Sequence, residues 1–245
     1  MSLRVTAATA ARVLAQLRRD PRTVVLIVGV PCLLEALLKE ILAGRNAEFQ
    51  QVGAPLLGLF PFISMFLVTS ITMLRERTSG TLERLMTLPL HKLDLLVGYG
   101  LAFGLVATLQ AVAVSTLTFG ALDLRVAGPS FVVVLLAVGN ATMGMALGLL
   151  LSAFASTEFQ AVQFMPAVVL PQLLLCGLFV DRSQMAHWLR FVSDVLPLTY
   201  AYAALAAVGR GGPYGDRFAA DVGVTLGSTL LALALGAGTL RRRTD

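Results

Sequence analysis

The sequence predicts an all-α integral membrane protein with six transmembrane helices. Three observations predict it. Hydrophobic residues make up 57% of the 245 residues and charged residues 13%, about half the charge of a soluble domain. Mean hydropathy is +0.81. Six apolar runs each approach or exceed the ~20 residues that carry a helix across a bilayer core. The composition excludes a disordered chain, a fibre and an ordinary water-soluble enzyme. A net charge of +5 would suggest nucleic acid in a soluble protein. Here the Lys and Arg residues first sort by side of the membrane, and no nucleic-acid partner is expected. Cys32 and Cys176 both lie in apolar runs and define neither a disulfide framework nor a metal site.

The chain reads as a single domain over 1–245, and its elements follow in order. Residues 1–20 hold no span. Leu3, Ala7, Ala10, Val13, Leu14 and Leu17 recur at helical spacing, with Arg4, Arg12, Arg18 and Arg19 mostly off that stripe. This predicts an amphipathic helix lying in the cytoplasmic headgroup region. The first span, 23–42, is broken only by Glu35 before Lys39 closes its apolar run. Glu35 stands four residues before Lys39, which predicts a local ion pair near the outer surface, with a proton or cation role as the alternative. Arg4, Arg12, Arg18, Arg19 and Arg22 precede the span, a leader too long for a cleaved signal peptide, so it reads as a retained anchor.

The other spans are predicted over 54–74, 95–120, 130–152, 159–180 and 222–240. Pro166 and Pro171 together are expected to bend the fifth, since each removes a backbone donor. The pairs Gly100 and Gly104, Gly144 and Gly148, and Gly223 and Gly227 are each four apart and favour close helix packing. Residues 185–209 end in an apolar run too short to cross, which predicts a re-entrant or interfacial segment. Of the Lys and Arg residues, twelve fall on the side of the N-terminus, Arg75, Arg77, Arg84, Lys92 and Arg241–Arg243, against seven on the other. By the positive-inside rule both termini are cytoplasmic.

Catalytic signatures are missing. The sequence has no G-x-x-x-x-G-K-[ST] phosphate loop, no H-E-x-x-H and no serine framed by a base; His91 and His187 fall on opposite sides of the predicted membrane. The chain is therefore expected not to be catalytic alone, with no catalytic residues, no metal and no cofactor of its own. The alternative classes, a channel or an integral-membrane enzyme, would call for a polar ring in one span or paired carboxylates at one face, and neither stands out.

The informative stretch joins spans two and three. Gly80 suits a turn entering a helix. Leu82, Leu85 and Met86 then share one face, Glu83 sits in the first turn where the helix dipole favours an anion, and Pro89 stops continuation. The spacing predicts a short amphipathic helix over 79–89 at the cytoplasmic surface, with Glu76, Arg77 and Arg84 available for polar contacts. In spans two and five, Phe62, Met65 and Phe66, and Gln163, Phe164 and Gln172, offer adaptable surface suited to lipophilic cargo, with lipid-facing or core packing as the alternative for each residue.

The run from Arg75 to Leu90 resembles the R-E-x-x-x-G-T-x-E-x-L-x-x-x-P-L motif of the ABC-2 family of ABC transporter permeases, drug-exporter subunits included. Six spans after an N-terminal amphipathic helix, and an outer segment running from Gly177 through Trp188 to Leu196-Pro197-Leu198-Thr199-Tyr200, resemble that family along most of the chain. The short Ala43–Gly53 loop departs from relatives with large outer domains. The resemblance implies the membrane subunit of an exporter in the cytoplasmic membrane, paired with a second copy or a sister permease. Two copies of a separate ATPase subunit, which hold the ATP and magnesium, would dock beneath. It implies that Glu76, Gly80, Thr81, Leu82, Glu83, Arg84, Leu85, Met86 and Pro89 form a coupling helix against the ATPase. It implies that re-entrant helices cap the pathway, with Pro197 and Tyr200 at an outer gate. The expected cargo is drug-like or lipid-like, with lipid-linked polysaccharide as the alternative.

Overall fold

A computed structural model describes residues 3–81, 84, 92–212 and 214–239. Among these the chain is all-helical, with no strand. In order come α1 (Leu3–Arg18), α2 (Pro21–Ile41), α3 (Asn46–Thr78), α4 (Lys92–Gly120), α5 (Ser130–Leu151), α6 (Glu158–Phe164), a π-helical stretch (Met165–Val169), α7 (Leu170–Leu175), a 3₁₀ turn (Arg182–Gln184), α8 (His187–Val195), α9 (Pro197–Gly209) and α10 (Asp216–Gly238). Helices α3, α5 and α10, residues Val97–Gly120 of α4, and α6 through α7 are long and apolar enough to cross a membrane; the bent α8–α9 pair makes a sixth if taken as one span. Helix α2, the first expected span, is 21 residues long and carries Arg22, Glu35, Lys39 and Glu40.

Helix α3 is the axis of the bundle. Its 33 residues reach about 50 Å at 1.5 Å per residue, well past both ends of the predicted span. Helix α5 lies along it at the closest approach the backbone permits. A Cβ built on Gly144 would stand 2.2 Å from the Phe62 carbonyl oxygen, and one on Gly148 would stand 2.5 Å from that of Phe66. Of the three glycine pairs, this one packs two helices. Gly100, Gly104, Gly223 and Gly227 face open space.

Proline leaves visible marks. Pro31 has no N–H for the Ile27 carbonyl, and neighbouring helices supply donors instead: Gln110 Nε2 at 2.7 Å and Ser64 Oγ at 3.4 Å. The bend expected at Pro166 and Pro171 takes the form of the π stretch, where the Leu170 N–H reaches back to the Met165 carbonyl, one residue beyond α-helical spacing.

Helix α1 packs on α4, but on a face rotated from the expected stripe. Leu3 is 84% exposed and Ala7 is exposed, whereas Thr6, Thr9 and Val13 are buried. The cause is Gly98 of α4, where a Cβ would meet Thr9 Cβ at 2.6 Å and the Thr6 carbonyl at 3.0 Å. A glycine notch accepts short threonines better than it rewards longer apolar side chains. The Glu35–Lys39 pair does not form: Lys39 Nζ sits 4.7 Å over the Phe49 ring and 3.4 Å from Asn46 Oδ1.

A candidate coupling junction at the basic end of the bundle

Three successive residues end α3: Arg75, Glu76 and Arg77. Successive helical residues point about 100° apart, so these three side chains fan out in three directions. Each finds a different neighbour. The Arg75 guanidinium binds the Glu158 carboxylate of α6 through Nε at 2.7 Å and Nη2 at 3.0 Å. Arg77 Nη2 donates to Thr239 Oγ1 at 3.2 Å, just beyond α10. Glu76 turns inward and is only 5% exposed.

The Glu76 carboxylate accepts two bonds from Arg12 of α1, at 3.0 and 3.2 Å, and one from the Tyr99 hydroxyl of α4 at 2.8 Å. Arg12 Nη2 also donates to the Tyr99 oxygen at 2.5 Å, and the guanidinium lies 5.6 Å from the Tyr99 ring centre. A bidentate guanidinium–carboxylate pair fixes orientation as well as distance. Burial draws the Arg12 pKa down, but the hydrogen bonds to Glu76 and Tyr99 and the charge of Glu76 outweigh it, and Arg12 is held above its ordinary range. One turn of α3 thus ties together α1, α4, α6 and the end of α10.

A cavity of about 240 Å³ opens beside this turn, bounded by Val13, Leu17, Asp20, Thr72, Ser79 and Thr81 among others. Asp20 closes its rim. It caps α2 by accepting from Thr23 N at 3.2 Å and Thr23 Oγ1 at 2.6 Å, and those bonds hold its carboxyl below the usual range. Among the described residues no three of His, Cys, Asp and Glu come together as metal ligands would.

The chain leaves this junction through Gly80, whose φ of +72° is the left-handed conformation that suits glycine at a helix C-terminus. The Arg84 N–H then donates to the Gly80 carbonyl at 2.9 Å, an i→i+4 bond that begins a new helical turn at Thr81. Thr81 Oγ1 lies 2.9 Å from Ser79 Oγ, and Arg84 is exposed. Leu82, Glu83, Leu85, Met86 and Pro89 fall outside the described residues.

Several sequence expectations change here. Glu76 and Arg77, read as free for polar contacts, are engaged inside the fold, because α3 continues a turn past the predicted span and carries them into the bundle. Phe62, Met65 and Phe66, read as pathway surface, are fully buried: α5 seals them against α3. Gln172 is buried too, its amide bonded to the Val168 carbonyl at 3.1 Å and its carbonyl oxygen 3.4 Å from Leu198 N. Of the six, Gln163 is exposed and Phe164 half-buried. Pro197 opens α9 at the 90° bend after α8. Tyr200 donates to the Asp194 carbonyl across that bend at 2.6 Å. Sequence reading missed Arg12, Tyr99, Glu158 and Thr239. The three-residue fan at 75–77 was the available signal, since adjacent charged residues on a helix point about 100° apart and meet different neighbours.

Comparison with known proteins agrees with this architecture. The family model described as ABC-2 type transporter matches residues 4–208. The chain is 26% identical over 161 residues to ABC transporter G family member 20 of Dictyostelium discoideum, covering 65% of this chain and 22% of that protein. It is 29% identical over 158 residues to probable multidrug ABC transporter permease YbhR of Escherichia coli (strain K12), covering 63% of this chain and 42% of that protein. The matched region spans less than half the length of either relative.

Proposed function

The chain belongs to the ABC-2 type transporter family, and from that premise we propose that it is the membrane-spanning permease subunit of an ATP-driven exporter of lipophilic drug-like or lipid-like molecules. It sits in the cytoplasmic membrane with both termini inside. It works beside a second copy or a sister permease, over two copies of a separate ATPase subunit that hold ATP and magnesium. Similarity to a relative named as a multidrug permease favours the drug-like cargo.

The observation that carries this reading is the fan at Arg75, Glu76 and Arg77, directly before the Gly80 turn. A segment that an ATPase displaces must be mechanically joined to the helices it moves. The fan joins the start of the 79–89 connector to α1, α4, α6 and the end of α10. The connector supplies the grip, with Leu82, Leu85 and Met86 as apolar contacts and Glu83 and Arg84 setting register. Arg12 and Glu76 then act inside the permease, passing the displacement on.

Co-purification with an ATPase subunit from the source cells, followed by ATP-dependent transport in proteoliposomes, tests the reading. Glu83→Ala and Arg84→Ala are expected to leave insertion and assembly intact while separating ATP hydrolysis from transport. Normal transport by both variants, or transport by the purified chain with no ATPase bound, refutes it.

A further inference from the structure

Among the described residues, Glu35 is a fully buried acidic residue in an otherwise apolar helix face. It lies on α2 in line with Ile27 and Pro31, facing the seam that α3 and α4 form. It is 0% exposed, and neither carboxyl oxygen has a hydrogen-bond partner. An ionised carboxylate in such a place loses its hydration and gains nothing in return, a far greater cost than burying the neutral acid.

Among the described residues, no charge on the elements packed around it can compensate. On α2 itself Lys39 is committed to Phe49 and Asn46, Glu40 is exposed and Arg22 lies at the basic end. One turn earlier on the same helix stands the half-buried thiol of Cys32, which supplies no positive charge. On α3 the residues from Ala54 to Leu74 carry no charge, and Arg45 and Glu48 pair with each other at 3.6 Å. On α4 nothing titratable lies between Tyr99 and Asp123, and Asp123 is paired with Arg125. On α1, Arg12 is taken by Glu76 and Tyr99 at the opposite end of the bundle.

We propose that Glu35 is a proton-binding site inside the bundle: its side chain is a neutral carboxylic acid while α2 lies in the α3–α4 seam, and it releases its proton only when α2 leaves that seam. Burial and the absence of any partner carry the first half. The second half follows from the same balance, because only rehydration or a new cation stabilises the anion. Helix α2 is suited to such a movement. Val24, Val25, Leu26, Val30, Leu33, Leu34 and Leu37 all face away from the protein, so its outer side is held by no other part of the fold. The inference does not rest on the permease reading, and its test needs no ATPase.

The test is infrared spectroscopy of the full chain in lipid bilayers, wild type minus Glu35→Gln. The carbonyl stretch of a protonated carboxylic acid is expected at neutral pH, lost in the variant and lost in wild type only on the alkaline side. Glu35→Leu, which fills the same space without a polar group, serves if the glutamine variant folds poorly. Maleimide labelling of Cys32, read at the peptide level, gives the linked movement. The wild-type rate divided by the variant rate is expected to stay flat at neutral pH and to rise where the acid band disappears. Absence of the acid band at neutral pH overturns the proposal, and so does a labelling ratio that ignores its loss.

Discussion

Arg12→Ala removes the guanidinium that links α1 to the end of α3, and the structure sets the size of the effect. A fully exposed ion pair contributes at most about 1 kcal/mol, and breaking a fully buried one costs about 3–5 kcal/mol. This pair falls between, with side chains 29% exposed for Arg12 and 6% for Glu76. The Tyr99 hydroxyl continues to donate to the orphaned carboxylate, which moderates the loss. Discounting for the solvent that reaches Arg12 gives about 2 kcal/mol, which is roughly a 30-fold shift between docked and undocked α1. Hydrogen exchange in lipid nanodiscs reads that equilibrium directly. The α1 amides are expected to exchange roughly 30-fold faster, with α5 unchanged. Glu76→Gln added to Arg12→Ala is expected to cost less than the two single effects together, since it removes the carboxylate that the first change strands. If Arg12→Ala exchanges like Arg4→Ala, an exposed arginine on the same helix, or if the two changes simply add, the junction does not hold α1 as argued.

The glycine contacts predict a sharp contrast. Gly144→Ala places a methyl 2.2 Å from a backbone oxygen and is expected to cost at least about 2 kcal/mol. Gly223→Ala and Gly227→Ala meet open space and are expected to be neutral or stabilising by up to about 1 kcal/mol; thermal midpoints in detergent separate the two groups. Gln110→Leu takes the shorter of two donors from the Ile27 carbonyl and is expected to cost about 1–3 kcal/mol by the same measurement. The Asp181 carboxylate accepts from Ser183 Oγ at 2.6 Å and Ser183 N at 2.8 Å, and those bonds hold it below the usual range. The order it lends residues 181–184 is therefore present above the unfolded value of about 3.9 and is lost as pH falls through the lower folded value. The Ser183 amide is expected to remain protected at the unfolded value of about 3.9 and to exchange freely only in stronger acid.

The sequence revealed most where one kind of force decides. Lipid permits only paired backbone, so uncharged runs marked helices, and the helix-breaking chemistry of Pro166 and Pro171 marked the irregular part of the fifth span. It revealed least where the answer depends on which helices become neighbours. The face that α1 buries depended on Gly98, some ninety residues away, and no periodicity within α1 could report it. Phe62, Met65 and Phe66 read as pathway surface because composition does not say which side of a helix a partner covers; Gly144 and Gly148 cover that side. Glu35 and Lys39 have the spacing of an ion pair, yet Phe49 and Asn46 of the next helix take the lysine. The junction was half legible. The motif located Gly80 and the turn that follows it, but the partners of Arg75, Glu76 and Arg77 lie between 23 and 162 residues away.

The ties at that junction differ in strength, and the difference bears on how the proposed permease would move. The link from Glu76 to Arg12 and Tyr99 is largely buried and bidentate, so α1, α3 and α4 are held as one body. The link from Arg75 to Glu158 is well exposed on both sides, so it is screened and readily exchanged for water. Helix α6 also packs Ala161 against Leu74 of α3, and it leads directly into the π stretch at Met165–Val169, where the hydrogen-bond ladder is already out of α-helical register. Among the polar ties, a push delivered at Gly80 therefore meets stiffer resistance toward α1 and α4 than toward α6. On the proposed function, the stroke divides there: α1, α3 and α4 travel together while the fifth span yields at its π stretch. Motion concentrates where Pro166 and Pro171 have already loosened the helix, and the exposed Gln163 rides on the segment that moves.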